Sequence, residues 1–231
     1  MTDPALAISY YVVFVFSVTL HEAAHAFVAL RGGDPTAYHG GQVSLSPLPH
    51  MRREPFGMVV LPILSVIVSG WPFGYASAPY DPAWADAHPR RAAWMALAGP
   101  GANALLVLLS WLAIRAGLAG GLFQAPESIS FSRVAISEVS PLAESGALLL
   151  STFFSMNLLL AILNLIPVPP LDGAGALPLL LSPEATRRYR ALSRSGFAIF
   201  GILLAWRLLD VLFDPIFLTL VNALHPDAHY G

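Results

Sequence analysis

The sequence predicts an all-α polytopic membrane protein with about four to six transmembrane helices and a small membrane-associated β-hairpin or re-entrant segment. Three observations carry that expectation. Of 231 residues, 56% are hydrophobic and only 11% are charged, whereas a soluble domain carries about a quarter charged residues. Mean hydropathy is +0.65, and four apolar runs are long enough to cross a hydrocarbon core of about 30 Å, which takes roughly 20 helical residues. Arginine, which supplies all the basic residues, clusters in some connecting segments and avoids others.

The four runs are 5–30, 92–114, 142–166 and 196–224, the second bounded by Arg91 and Arg115. A fifth, 56–73, is shorter and contains Pro62, Gly70 and Pro72. Arg31, Arg52 and Arg53 precede it, Arg90 and Arg91 follow it, and Arg187, Arg188, Arg190 and Arg194 follow the 142–166 run. Between the second and third runs stand only Arg115 and Arg133, against Glu127, Glu138 and Glu144. If 56–73 dips in and returns, every arginine-rich segment lies on one side, which the positive-inside rule makes cytoplasmic. A full crossing would split the two largest arginine clusters, so a re-entrant segment is expected, covered by protein or a wet cavity.

The N-terminus, "MTDPALAISYY", has neither a basic n-region nor a small-residue cleavage signature and reads as the start of a retained span. With no internal repeat, the simplest organisation is one membrane-embedded domain over 1–231, with its core at 5–180 and a C-terminal helical segment at 196–224. A net charge of −2 gives no sign of a nucleic-acid partner. The absence of cysteine removes disulfides, thiolate metal sites and cysteine nucleophiles together.

The first run contains "HEAAH", residues 21–25. Ionisable groups inside an apolar span are costly and point to function. Residues four apart on a helix lie about 40° apart in rotation and about 6 Å apart along the axis, so His21 and His25 face one point. Two neutral imidazoles at that spacing can share one zinc, and Glu22, about 100° around from His21, is placed to act as a base on water. A lone buried histidine is ordinarily a core residue, but the full H-E-x-x-H pattern inside a span has no such reading.

Two histidines leave a catalytic zinc one protein ligand short. His39, His50 and His88 lie in loops and His225 and His229 in the tail, where ordinary surface histidines are expected. Asp172 is the favoured third ligand. It sits in "NLIPVPPLDG", residues 164–173, directly after a span. Pro167, Pro169 and Pro170 prevent helix continuation, so an extended segment is expected there, with a turn at Gly173. Such a segment can aim a carboxylate sideways into a bundle, although Asp-Gly is also an ordinary turn pair.

At these residues the chain resembles the site-2 protease family of intramembrane zinc metalloproteases (peptidase family M50), through "HEAAH" and "NLIPVPPLDG". "AGPGAN", residues 98–103, is similar to the family's G-P-x-x-N span. "GGDPTAYHGGQVSLSPLPH" and "GWPFGYASAPY" look like its short compact bacterial branch. The resemblance implies that His21, His25 and Asp172 hold one Zn2+ per chain and that Glu22 is the general base. It also implies that Asn164 lies near the zinc, where its amide orients substrate or stabilises an oxyanion. For Asn164 and Asn103 the alternative is a helix–helix hydrogen bond. Segments 40–45 and 75–79 would be membrane-associated β-strands, one edge accepting an extended substrate. Gln42 and Ser77 stand where that branch usually has basic residues, and 116–141 is too short for the PDZ domain of many relatives.

The implied activity is that of a zinc metalloendopeptidase cleaving transmembrane or membrane-proximal segments of protein substrates. The implied location is the cell membrane, multi-pass, with the active site nearer the cytoplasmic side and the lipid bilayer as surroundings. The alternatives are a zinc-binding membrane transporter, which needs a second ligand cluster across the membrane, and a proteolytically silent scaffold, which would have lost Glu22 or a ligand.

Overall fold

A computed structural model of the chain describes residues 4–193 and 198–231, with side chains described except at 190–199. Arg194, the Arg190 side chain and the start of the C-terminal run at Gly196 lie outside the described residues. Helix α1, Pro4–Gly32, carries the HEAAH residues and stops at Gly33, whose φ of 99° only glycine adopts easily. Two short helices follow, α2 at Thr36–His39 and α3 at Pro47–Arg53. A π-helical turn, Phe56–Val60, leads into α4, Leu61–Ser69. Helix α5, Pro82–Ala87, starts on an Asp81 cap and leads into α6, Pro89–Ala119. Helix α7, Pro141–Leu165, opens with Ser140 Oγ accepting from Ala143 N–H at 3.2 Å. Then come α8 at Asp172–Ala176, a 3-10 turn at Leu177–Leu179, α9 at Pro183–Ser193 and α10 at Ala198–Leu224.

Helices α1, α6 and α7 are long and apolar enough to cross a membrane. They pack on one another as the centre of the fold. At about 1.5 Å per residue each exceeds the roughly 30 Å hydrocarbon thickness. The fourth expected span is one continuous helix, α10, but every window of about 18 residues within it contains Arg207, Asp210 and Asp214. It lies along α7 and α6, where Phe154, Leu158, Leu209, Phe217 and Val221 share one buried cluster. Trp111 Nε1–H donates to the Leu220 carbonyl at 3.1 Å and pins its far end.

The 56–73 run forms a 14-residue apolar helix from Phe56 to Ser69. It ends at Gly70 in the left-handed conformation, φ 74°, where a glycine is needed to reverse the chain. The chain then returns without regular structure, and Tyr75 N–H donates to the Gly57 carbonyl at 3.1 Å. Residues 57 and 75 are therefore at one level, with the helix tip beyond them. Ile67 and Val68, 74% and 85% exposed, project from that tip.

Two expectations are corrected. Segments 40–45 and 75–79 form no β-hairpin: the described residues contain only isolated bridges, Gln124 with Ile136 and Ser130 with Arg133. The reason lies in 40–45, where Gly41 turns with φ 74° and Gln42 N–H bonds back to the Ala37 carbonyl at 2.9 Å. Only a side chain crosses to the other segment, Gln42 Nε2–H donating to the Ser77 carbonyl at 3.4 Å. The prolines after α7 also do not give a continuous extended strand. Leu171 N–H bonds to the Val168 carbonyl at 3.0 Å, closing a turn, and Asp172 opens α8.

At the end of the bundle opposite HEAAH, the 120–140 connection is held from beneath by Ser151. Its Oγ accepts from Val134 N–H and Ala135 N–H, each at 3.1 Å, and Val134 and Ser151 are both fully buried. His225 Nε2–H donates to the Val134 carbonyl at 2.8 Å from the end of α10. Ser151→Ala strands two buried amides, a loss of about 1–3 kcal/mol. It should lower the thermal unfolding midpoint of the detergent-solubilised protein while leaving metal content unchanged.

Candidate metal centre

The α1 helix places His21, Glu22 and His25 inside the bundle, 7%, 6% and 5% exposed. The two imidazoles meet edge to face with ring centres 4.6 Å apart, as their i,i+4 spacing requires. Each ring is held by its far nitrogen. His21 Nδ1–H donates to Asn103 Oδ1 at 2.5 Å, and His25 Nδ1–H donates to the Met95 carbonyl at 2.7 Å, both acceptors on α6. A backbone carbonyl only accepts, so the proton of His25 is on Nδ1 and the Nε2 lone pair is free. The same holds for His21 when the Asn103 oxygen faces it.

Asp172 completes the group. Its Oδ2 lies 3.0 Å from His21 Nε2 and 3.3 Å from His25 Nε2, and the two Nε2 atoms are 3.0 Å apart. With both imidazoles neutral, three acceptor atoms face one point, an arrangement that repels unless a proton or a metal ion is shared among them. Tetrahedral zinc with bonds of about 2.0–2.1 Å sets its ligand atoms about 3.3 Å apart, so the donor set fits the ion to within a few tenths of an ångström. These three are the group of metal-ligating residues found among the described residues.

Glycines permit this convergence. A Cβ on Gly99 would strike Nε2 of both His21 and His25, so α6 can pass the imidazoles only with hydrogen at that position. A Cβ on Gly173 would collide with the carbonyls of Leu165 and Ile166. The start of α8 therefore folds back against the end of α7, which returns Asp172 to the bundle. Pro100 follows Gly99 and withdraws the amide that would bond the Ala96 carbonyl.

Glu22 has no hydrogen-bond partner among the described residues and lines a cavity of about 490 Å³ together with His25 and Asp172. Ala76, Ser77 and Ala78 form part of its wall. Asp34 fixes the end of that wall, accepting from Asp81 N–H at 2.8 Å and from Thr36 N–H at 3.0 Å. Burial raises the Asp34 carboxyl, but hydrogen bonds from Thr36 and Asp81 hold it below its ordinary value.

The remaining candidates lie elsewhere. Asn164 Nδ2–H donates to the Leu160 carbonyl of its own helix at 3.1 Å, and Asn164 does not line the cavity. His50 is buried but bonded to the Ser44 carbonyl, His225 serves the far end, and His39, His88 and His229 are exposed. The sequence marked Gly99 only as part of AGPGAN and did not mark Asn157, and for Asn103 it offered a helix–helix bond as the alternative. Asn103 does make one, to Asn157 at 2.8 Å, but also holds His21. The signal available was a buried polar residue one turn after Gly99.

Gly99→Ala should abolish metal binding by pushing both imidazoles off the shared point. Metal analysis of the purified variant beside the unaltered chain checks this, and undiminished metal content would contradict the close approach.

Comparison with known proteins gives the same direction. YwhC of Bacillus subtilis (strain 168) is 28% identical over 197 residues, covering 83% of this chain and 78% of YwhC. Rip2 of Mycolicibacterium smegmatis is 30% identical over 191 residues, covering 83% of this chain and 64% of Rip2. Both are named as zinc metalloproteases. The chain thus spans somewhat less than two thirds of the mycobacterial relative. No solved structure matches. The sequence model of peptidase family M50 matches residues 9–205, HEAAH and the Asp172 segment both inside it, and the chain belongs to that family of metalloproteases.

Proposed function

We propose that this protein is an intramembrane zinc metalloprotease that hydrolyses peptide bonds in transmembrane or membrane-proximal segments of other membrane proteins. The observation that carries the proposal is the convergence of His21, His25 and Asp172 beside an unpartnered Glu22 at the wall of one cavity. One zinc per chain, held by those three residues, would supply Lewis acidity toward a water and the substrate carbonyl. Glu22 takes the proton from the attacking water and returns it to the leaving amine. Asn103 and the Met95 carbonyl keep both imidazoles oriented throughout.

A substrate helix hides its carbonyls in i→i−4 bonds and must unwind before attack. The wall supports that requirement. The N–H groups of Ala76, Ser77 and Ala78 have no backbone partner among the described residues, and these residues line the cavity beside Glu22. An unwound substrate segment laid along them would gain main-chain hydrogen bonds in place of those it lost. Asn164 remains a candidate for orienting substrate from the end of α7.

The location proposed is the cell membrane, with α1, α6 and α7 crossing and α10 as a further span. Arg31, Arg52, Arg53, Arg90 and Arg91 flank the ends of α1 and α6 nearest the metal group, which favours a cytoplasmic-side site. Transport is disfavoured because the described residues hold one ligand cluster, where a transport path needs ligands in succession.

Glu22→Gln should lower cleavage of a membrane-embedded reporter by about 10²–10⁴-fold, the usual contribution of a general base. Zinc content should stay at that of the unaltered chain, because Glu22 is not in the ligand group. Undiminished cleavage would overturn the role given to Glu22.

A further inference from the structure

The metal group is joined to a buried chain of amides that the reaction itself does not use. Asn103, Asn157 and Ser17, on α6, α7 and α1, are all fully buried. Asn103 Nδ2–H donates to Asn157 Oδ1 at 2.8 Å. Asn157 Nδ2–H donates to Ser17 Oγ at 2.9 Å and to the Phe153 carbonyl at 2.8 Å. At the other end, Asn103 Oδ1 accepts from His21 Nδ1–H.

This chain has a direction. A side-chain amide presents an oxygen at one end and an NH₂ at the other, and turning it over exchanges acceptor for donor. The Phe153 carbonyl can only accept, so it fixes the Asn157 NH₂ toward itself and Ser17. The Asn157 oxygen is then turned to Asn103, which fixes the Asn103 NH₂ toward α7 and its oxygen toward His21. His21 must in turn carry its proton on Nδ1, leaving Nε2 as a lone pair toward Asp172 and His25. Were Asn103 turned over, its NH₂ would face Nδ1 and favour the tautomer with a proton on Nε2, which cannot ligate a metal.

We infer that Asn157 is a positioning residue for metal binding: through the Asn103 amide it sets the tautomer of His21, one full helix away from the ion. The inference rests on the proposal that His21, His25 and Asp172 hold zinc. It differs from a packing role in one respect. A carboxylate accepts through both oxygens, so in the Asn103→Asp background the group at 103 accepts from His21 whichever way it is turned, and the Asn157 oxygen facing it no longer supports that orientation.

The test is zinc titration of the chelated, full-length protein in detergent against a competing chromophoric chelator, with the unfolding midpoint of the metal-free protein recorded for each variant. The unaltered chain should bind one zinc; if it does not, the metal reading fails and the relay is overturned with it. Asn157→Leu, of similar volume, should weaken zinc affinity by about 10–100-fold, the usual cost of losing a partner behind a ligand. Asn157→Asp, which still accepts from Asn103, should recover most of that loss. In the Asn103→Asp background, adding Asn157→Leu should cause no further loss of affinity. If Asn157→Leu does not fold, Asn157→Ser, whose hydroxyl is too short to reach Asn103, replaces it in each comparison. Unaltered affinity in the variant at 157, an equal loss in both backgrounds, or loss of zinc from Asn103→Asp alone would each overturn the relay.

Discussion

Two imidazole nitrogens and a carboxylate oxygen meet at 3.0–3.3 Å, where neutral lone pairs would repel and a shared proton or metal ion is needed between them. The rest of the bundle is arranged to keep them there. The Met95 carbonyl on α6 holds the outer nitrogen of His25, and Asn103 holds that of His21. This removes the other place where the lone pairs could point. The same burial would strengthen the hold on a bound cation, since little solvent screens the charges.

Close backbone approach is the second requirement, and it explains residues that carry no chemistry themselves. Gly99 lets α6 pass directly beneath both imidazoles. Gly173 lets α8 seat against the last carbonyls of α7, so Asp172 points back into the bundle instead of outward. The prolines at 167, 169 and 170 end α7 where this reversal has to begin. Helices α1, α5 and α6, the 76–80 segment and the reversed connection through α8 together line a cavity beside Glu22.

Much of the site was legible in the sequence because its parts are local. His21, Glu22 and His25 are fixed relative to one another by helix geometry alone, and Asp172 was marked by its place after a span beside an incomplete ligand set. A returning course for 56–73 was expected from where the arginines stand, and the chain does double back so that Tyr75 N–H meets the Gly57 carbonyl. The β-hairpin was not legible, because whether two extended segments pair depends on backbone bonds already spent in turns, as at Gly41 and Gln42. Nor was the partnership of Asn103 with His21 and Asn157, which joins residues 82 and 54 positions apart and leaves no periodic signal.

HEAAH and the Asp172 segment are proposed to form one metal centre, although 151 residues separate His21 from Asp172. Zinc per chain in the detergent-purified protein, measured beside Asp172→Ala, tests it most directly. The unaltered chain should hold about one zinc, as expected of a three-ligand catalytic site, and the variant should bind it weakly or not at all. Undiminished zinc in Asp172→Ala would separate the two motifs, and no zinc in either after metal-replete purification would contradict the metal centre itself.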